Sequence, residues 1–285
     1  MKGKSKLIPY CFIAPFFLIF SYFYFIPIFK VILDSFTDYD MFTKRNFVGL
    51  ENYIELIGDE TFRLSLGNTF FYTICTLFPA LIIGLLLACL INSPLIKTKF
   101  TRMAIFMPHV ISMVAVSMIW LYLYEPTGGI FNQILKIFHS PESQWLFDPK
   151  IAMLCLVVMG IWKSIGYYMV VFLSGLNAIS QQYYEAAKID GAGTITIFFK
   201  ITLPLLKPTS AFLLITGIIS SFNVFEQVNI MTKGGPLYRT TTIVHQIYTA
   251  GFSEYKLGYA SAMSVVLLLI VICISAVNFR LTRSE

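Results

Sequence analysis

Charged side chains are scarce inside the long apolar stretches of this sequence, so the few that occur there are the first candidates for chemistry. Lys163 lies near the middle of one stretch, and Glu226 lies near the end of the next. A charge at the centre of a membrane helix costs about 2.5 to 3.5 kcal/mol on insertion scales. Each charge therefore predicts an aqueous cavity or a partner. Two alternatives stay open: Lys163 snorkels or pairs inside a bundle, and Glu226 is an interfacial charge.

The neighbours of Lys163 could bind a hydroxylated solute. At helical spacing Lys163 shares a face with Tyr167, Ser164 lies beside that face and Trp162 is adjacent. Aromatic faces stack on the C–H surfaces of a sugar ring, and Lys, Ser and Tyr side chains bond to its hydroxyls. This cluster is a candidate sugar platform. Further candidates by polarity alone are Asn223, Glu226, Gln227 and Asn229.

No catalytic or metal-binding set accompanies these residues. The three histidines are isolated in sequence, and His109, beside Pro108, is interpreted as a hydrogen-bonding residue at a kink. The five cysteines lie in apolar stretches without CxxC spacing, as expected for small buried apolar side chains. The sequence has no HExxH motif and no GxxxxGK[ST] phosphate loop. We therefore expect no catalytic residue, no metal and no cofactor.

Composition identifies the kind of element that must position these residues. Of 285 residues, 57% are hydrophobic and 13% are charged, against about 25% charged in soluble domains. This excludes a soluble enzyme, a secreted disulfide scaffold and a nucleic-acid binder. Uncharged stretches of about 20 residues predict membrane-spanning helices, because a barrel would show shorter alternating segments. The predicted fold is an all-α integral membrane protein with spans at residues 8–33, 68–91, 103–124, 151–176, 208–230 and 257–279.

Basic residues predict the orientation of the spans. The alternate segments that include both termini hold eleven Lys and Arg residues, and the other three loops hold eight. Basic residues concentrate in cytoplasmic segments, so we expect both termini and the loop 177–207 on the cytoplasmic side. Small residues four apart, as in Gly84 with Ala88 and Gly217 with Ser221, predict close helix packing.

The loop 177–207 is long and patterned. Ser180 can cap a short helix that ends at Gly191, and Thr194 can cap a second helix through Phe199 that stops before Pro204. The two helices are predicted to project from the membrane as a knob. Glu185 lies in the first helix beside two alanines whose small side chains allow another protein to come close.

This loop carries a family signature. Glu185-Ala186-Ala187, three residues, Gly191, nine residues, Ile201, one residue and Leu203-Pro204 match the EAA signature of membrane subunits of binding-protein-dependent ABC importers. The chain also resembles the carbohydrate branch of that family, including the larger maltose permease subunit and permeases of the multiple-sugar and lactose type. The segments that carry this resemblance are FVGLENY at 47–53, residues 102–120, residues 161–179 and MTKGGP at 231–236.

The resemblance implies a fold and a set of partners. The fold is a six-helix ABC importer permease of type I, called MetI-like, with cytoplasmic coupling helices in a bacterial cell membrane. The implied partners are a cytoplasmic ATPase dimer that hydrolyses ATP, a second permease subunit, an extracellular sugar-binding protein, a sugar or oligosaccharide and membrane lipid, with no nucleic acid. The implied ATPase-coupling residues are Tyr184, Glu185, Ala186, Ala187, Asp190, Gly191, Leu203 and Pro204.

The resemblance also implies sugar-facing positions. They are Trp162, Lys163, Ser164 and Tyr167 on one helix, and Ser221 and Val224 on the next. The sequence leaves the sugar and its charge open. Two other function classes remain: a secondary transporter of a small polar solute, which would use internal repeats and broken helices around an ion site, and a membrane enzyme acting on lipid, which would need a nucleophile or metal at the interface.

Overall fold

The computed structural model describes residues 8–43, 45–92 and 99–283. The regular secondary structure of these residues is helical, apart from one isolated bridge between Thr37 and Phe47. Some of the basic residues that were counted for the predicted orientation lie outside the described residues: Lys2, Lys4, Lys6, Lys44 and Lys97.

Most of the helices are α-helical, and a 3-10 helix occupies Trp145–Phe147. π-helical turns occupy Ser21–Phe25, Phe198–Thr202 and Thr249–Ser253. The α-helices are α1 (Ile8–Phe20), α2 (Ile26–Asp34), α3 (Glu51–Gly58), α4 (Glu60–Asn92), α5 (Lys99–Val110), α6 (Met113–Leu123), α7 (Ile130–Ile137), α8 (Ala152–Ala178), α9 (Gln181–Ile189), α10 (Thr194–Ile197), α11 (Leu203–Leu205), α12 (Lys207–Phe222), α13 (Glu226–Met231), α14 (Ile243–Tyr248) and α15 (Leu257–Arg283).

Five segments of the described chain are long and apolar enough to cross a membrane: Tyr10–Asp34, Glu60–Asn92, Ala152–Ala178, Lys207–Met231 and Leu257–Asn278. A sixth crossing is obtained if α5 and α6, which are bent by 95°, count as one broken span. The predicted third span at 103–124 is therefore not one continuous helix. Pro108 lies in the last turn of α5, and Ser112 adopts an extended ψ of 137°, so the helical hydrogen-bond pattern stops there.

The fifth predicted span is also interrupted. α12 ends at Phe222, and α13 begins at Glu226. Between them Phe225 has φ −141° and ψ −57°, outside the helical region. Hydropathy is continuous across both interruptions, so a pattern of apolar residues alone does not reveal them.

Thr61–His245 and the residues from Val271 onward form one compact unit. α8 is the most buried of its long helices, with half of its apolar window inside the structure. One apolar cluster packs around Leu156 and Met159 of α8, and a second around Met169 and Phe172. The predicted small-residue contacts occur: a Cβ on Gly84 would lie 2.6 Å from the Tyr168 Cβ, and one on Gly217 would collide with Leu77.

The described residues up to Glu60 and Gln246–Ile270 form a second compact unit. Its first long helix leaves its aromatic side chains exposed, as expected for a surface facing lipid. The following loop is ordered by its own carboxylates, since Asp34 pairs with Arg45 at 2.8 Å. Hydrogen bonds from Asn46 hold the pKa of Asp38 below its usual value, and hydrogen bonds from Thr43 do the same for Asp40.

Candidate functional site

A polar cavity of about 270 Å³ lies within the unit that contains α8. Five of the seven sequence-predicted binding residues line it: Lys163, Ser164, Ser221, Asn223 and Glu226. Val224, at a position implied by the resemblance, lines it as well. The side chains of Asn223 and Glu226 are exposed, so the cavity opens to the surface of this chain.

The two remaining predicted residues lie elsewhere. Tyr167 lines a neighbouring cavity of about 240 Å³, which shares Ser164 and Tyr168 with the first. Trp162 lines neither cavity. Its ring packs against Trp120 with centroids 5.6 Å apart, and the residue is 41% exposed. The aromatic platform expected from adjacent residues is thus divided between two faces of α8.

Both helix interruptions contribute to the cavity wall. His109 and Met113 flank the break between α5 and α6, and residues 223–227 span the break between α12 and α13. Lys163 extends from the continuous helix α8 to the first break, where its Nζ donates to the carbonyl oxygens of Pro108 and Ile111 at 3.1 and 2.6 Å. His109, predicted as a hydrogen-bonding residue at a kink, lies next to that break and stacks its ring on Tyr167, with centroids 5.0 Å apart.

Part of the cavity wall was not predicted from the sequence. Tyr72 and Thr76 of α4 line the cavity, and the buried Gln227 Nε2 donates to the Tyr72 hydroxyl at 2.8 Å. Gln227 was a polarity candidate, but no polar residue of α4 was among the predicted binding residues. The available signal was a group of hydroxyl side chains, Tyr72, Thr73 and Thr76, in an otherwise apolar span. Thr76 Oγ1 is buried without a hydrogen-bond partner in the described residues.

The cavity offers hydrogen-bond donors and acceptors. Its hydroxyl, amide and carboxylate side chains match the hydroxyls of a polar solute. Within the described ranges no three His, Cys, Asp or Glu residues are close enough to hold a metal ion. The arrangement is suited to binding a polar solute.

The segment Gln181–Leu205, which we call the coupling segment, is the second candidate site. Its first helix, α9, begins after Ser180, whose hydroxyl accepts from the Gln182 amide at 3.4 Å. Gly191 ends the helix with φ +76°, a conformation that glycine adopts without steric cost. Ala187 is buried, and Tyr184 Oη lies 3.3 Å from Thr202 Oγ1, so these two residues hold α9 against the following helix.

The second helix differs from its prediction in two respects. Gly193, not Thr194, is the N-cap residue, and no side chain caps the helix. The helix also does not stop before Pro204 but continues to Leu205. The π-helical turn at Phe198–Thr202 shifts the hydrogen-bond register, so the missing N–H of Pro204 falls in the first turn of α11, where proline is tolerated.

The outward surface of the coupling segment combines polar and apolar groups. The motif residues Glu185, Ala186 and Asp190 are exposed. Large apolar side chains are exposed beside them, including Ile189 at 86% and Tyr183 at 56%. Leu203 and Pro204 instead line an apolar groove with residues of α12 and α15. A soluble surface rarely exposes apolar groups in this density, so this surface is suited to contact with another protein.

The chain is similar to known transport proteins. The family described as "Binding-protein-dependent transport system inner membrane component" matches residues 56–284. The chain is 34% identical to the sn-glycerol-3-phosphate transport system permease protein UgpA of Agrobacterium fabrum, over 99% of this chain and 96% of that one. It is 32% identical to the probable ABC transporter permease protein YurN of Bacillus subtilis, over 100% of this chain and 99% of that one.

Two solved structures share the fold. One belongs to a bacterial ABC transporter involved in the import of the acidic polysaccharide alginate, with a TM-score of 0.88 at 24% identity, over 99% of this chain and 96% of that one. The MetNI methionine ABC transporter in an inward-facing conformation matches with a TM-score of 0.54 at 16% identity, over 82% of this chain and 98% of that one.

Proposed function

This chain belongs to the family of binding-protein-dependent transport system inner membrane components, and from that premise we propose that it is one permease subunit of an ATP-driven importer of a sugar or oligosaccharide. It would form half of the translocation path. A second, different permease subunit would face the open side of the cavity and complete it.

The observation that carries this proposal is the exposed coupling segment. A short helix is fixed from behind by Ala187 and Tyr184, and it presents Glu185, Ala186 and Ile189 outward. A cleft in another protein can receive such a helix. We assign that cleft to a cytoplasmic ATPase dimer, whose closure on ATP would move the helices and open the cavity to alternate sides. ATP hydrolysis would then reside in the partner.

The cavity supports a hydroxylated solute. Ser164, Ser221 and Asn223 present neutral hydrogen-bonding groups, and the two charged residues at the cavity have opposite signs. The names of the compared proteins include a phosphorylated polyol and an acidic polysaccharide. For this chain we propose only the shared chemistry, a hydroxyl-rich solute bound by hydrogen bonds.

The orientation and the remaining partner follow from the same proposal. Docking to a cytoplasmic ATPase requires the coupling segment and both termini on the cytoplasmic side of a bacterial membrane. The loop 231–256 would then lie outside, where an extracellular sugar-binding protein delivers the solute. This agrees with the distribution of basic residues.

Site-directed cross-linking tests the docking. In the complex co-expressed with its ATPase and second permease, an Ala186→Cys variant should form a cross-link to the ATPase. A matched Phe138→Cys variant, also at an exposed site but in the proposed outer loop, should form none. Cross-linking at Phe138 but not at Ala186 would reverse the orientation and overturn the proposal.

Reconstitution tests the energy source. The interrupted helices are also typical of secondary transporters, so the second candidate is a transporter driven by an ion gradient. In liposomes the full complex should accumulate labelled sugar only when ATP is supplied. Accumulation by this chain alone under an ion gradient would instead establish the second candidate.

A further inference from the structure

Among the described residues that line the polar cavity, Lys163 is the only lysine or arginine, and its ammonium is hydrogen-bonded by the protein itself. Its Nζ donates to three backbone carbonyl oxygens: Pro108 at 3.1 Å, His109 at 3.3 Å and Ile111 at 2.6 Å. An ammonium has three N–H donors. All of its hydrogen-bonding capacity can therefore be used by this one turn of backbone.

The three carbonyls are those that a broken helix leaves unpaired. The last four carbonyls of an α-helix have no intrahelical partner, and they carry the negative end of the helix dipole. α5 ends at Val110, so Pro108 and His109 belong to its last turn, while Ile111 lies in the break before α6. A positive charge from α8 thus occupies the position where a continuous helix would have supplied backbone N–H groups.

α8 also holds the end of α5 at very short range. A Cβ on Gly166 would collide with the carbonyl oxygen of Ile105 and lie 2.8 Å from the Phe106 Cα. One residue further along, the Tyr167 ring stacks on His109. Lys163, Gly166 and Tyr167 therefore form one surface that fixes the end of α5 where the chain bends by 95°.

The second interruption is linked to the same lysine. Glu226 is the first residue of α13, and it lines the same cavity as Lys163 with a charge of opposite sign. A positive charge on the continuous helix α8 thus shares the cavity with a negative charge at the start of the second interrupted helix.

We propose that Lys163 is a positioning residue that fixes the break between α5 and α6, and through Glu226 the break between α12 and α13, so that its charge serves the shape of the cavity and not the recognition of an anionic solute. This rests on the proposed function only for its effect on uptake. The structural part, a bend fixed by one ammonium, stands whatever the solute is.

A distance measurement across the break tests the structural part without any transport assay. Spin labels at Met107→Cys and Met118→Cys, both at exposed sites on α5 and α6, report their separation in the complete complex after the five native cysteines are replaced by alanine. Lys163→Met should broaden or shift the distance distribution. Lys163→Arg keeps the charge and the donors and should keep the distribution. Lys150→Met, an exposed lysine just before α8, is the matched control and should change nothing.

Uptake kinetics test the functional part. For Lys163→Met we expect the maximal rate to fall by about tenfold or more with KM changed by less than about threefold, and for Lys163→Arg a recovery of most of that rate. A large rise in KM with an unchanged distance distribution would make Lys163 a substrate contact and overturn the proposal. An unchanged distribution with unchanged uptake would overturn it as well.

Two further variants keep the test decisive if Lys163→Met does not assemble. Glu226→Gln removes only the negative charge at the second break and should give a smaller broadening. Lys163→Gln keeps a donor but no charge, and it should give a broader distribution than the Arg variant. Wild-type distributions in both would contradict the proposal. If the wild-type complex shows these distances but no ATP-driven uptake, the proposed function is disproved. The positioning role of Lys163 then still stands.

Discussion

The coupling segment and the polar cavity arrange their apolar and polar side chains in opposite ways. The coupling segment directs large apolar groups such as Ile189 outward, while Ala187 is buried and Tyr184 Oη lies 3.3 Å from Thr202 Oγ1. The cavity directs polar groups inward, and bonds such as Gln227 to Tyr72 and Lys163 to the Ile111 carbonyl connect distant parts of the chain. The first surface is suited to contact with another protein, and the second is suited to binding a polar solute.

The difference predicts how each region responds to damage. A cavity wall made of long-range contacts transmits a change to the packing of several helices, because packed interiors adjust in discrete steps. Exposed residues of the coupling segment can be altered without disturbing the packing of the helices behind it. Substitutions at the cavity should therefore affect folding and uptake together, and substitutions in the coupling segment should affect coupling alone.

The largest effect is expected where α8 meets α5. Gly166→Leu would place a side chain against the backbone at Ile105 and Phe106, which cannot yield by a rotamer change. Forced overpacking costs about 1 to 3 kcal/mol, and more against backbone. The yield of monodisperse protein and its Tm in detergent should fall sharply.

The matched control is Gly67→Leu, at a helical glycine of α4 whose Cβ would meet nothing within 4 Å. It should keep the wild-type yield and Tm. If Gly166→Leu also keeps both, then the approach of α5 to α8 is not a fixed contact, and the contrast between the two regions loses its basis.

The next effect is expected at Gly191 and should spare the fold. Its φ of +76° costs a non-glycine residue about 1 to 2 kcal/mol, which corresponds to about a 5- to 30-fold shift in population. Gly191→Val should lower sugar-stimulated ATP hydrolysis and uptake by about tenfold while membrane insertion and Tm stay normal.

Asparagine tolerates this backbone conformation better than most residues, so Gly191→Asn should keep most of the activity. The space around an added Cβ is open, which separates backbone strain from collision within the chain. Equal loss in the Val and Asn variants would mean that the ATPase surface, and not the backbone, requires glycine there.

These two glycines also show what could be predicted from sequence. Gly191 was identified because its role is local: a helix of nine residues ends there, and the family spacing includes it. Gly166 was not identified, because its importance comes from α5, which lies about 60 residues earlier in the chain. Local rules likewise identified the Ser180 cap but misplaced the end of the second helix, because a π-helical turn allowed the chain to continue through Pro204.

The cavity was predicted in part for a related reason. Lys163 and Glu226 stood out because charges are rare in apolar stretches, and both line the cavity. Tyr72 and Thr76 were missed because hydroxyl groups do not interrupt a hydropathy profile. Trp162 was assigned to the platform because it adjoins Lys163, but adjacent residues on a helix point about 100° apart, and its ring packs on Trp120 instead.

A smaller effect is expected from the buried bond across the cavity. Gln227→Leu removes the donor to the Tyr72 hydroxyl and leaves that hydroxyl buried without it. Such a change costs about 1 to 3 kcal/mol, so Tm should fall moderately and the KM for sugar should rise. Removal of both partners, in Gln227→Leu with Tyr72→Phe, should cost less than the sum of the single changes. Strict additivity would show that the bond does not couple α4 to α13.

The smallest effect is expected at the start of the coupling segment. Replacement of an N-cap serine by alanine costs about 0.5 to 2 kcal/mol, and the Ser180 bond, at 3.4 Å, is long for a hydrogen bond. Ser180→Ala should therefore lie at the low end of that range and leave the Tm of the chain unchanged. If the coupling segment is held mainly by its partner, the variant should show faster amide hydrogen exchange in α9 only when the ATPase is absent. Faster exchange in the full complex would mean instead that α9 depends on its own cap. The coupling segment would then be held, like the cavity, by contacts within the chain.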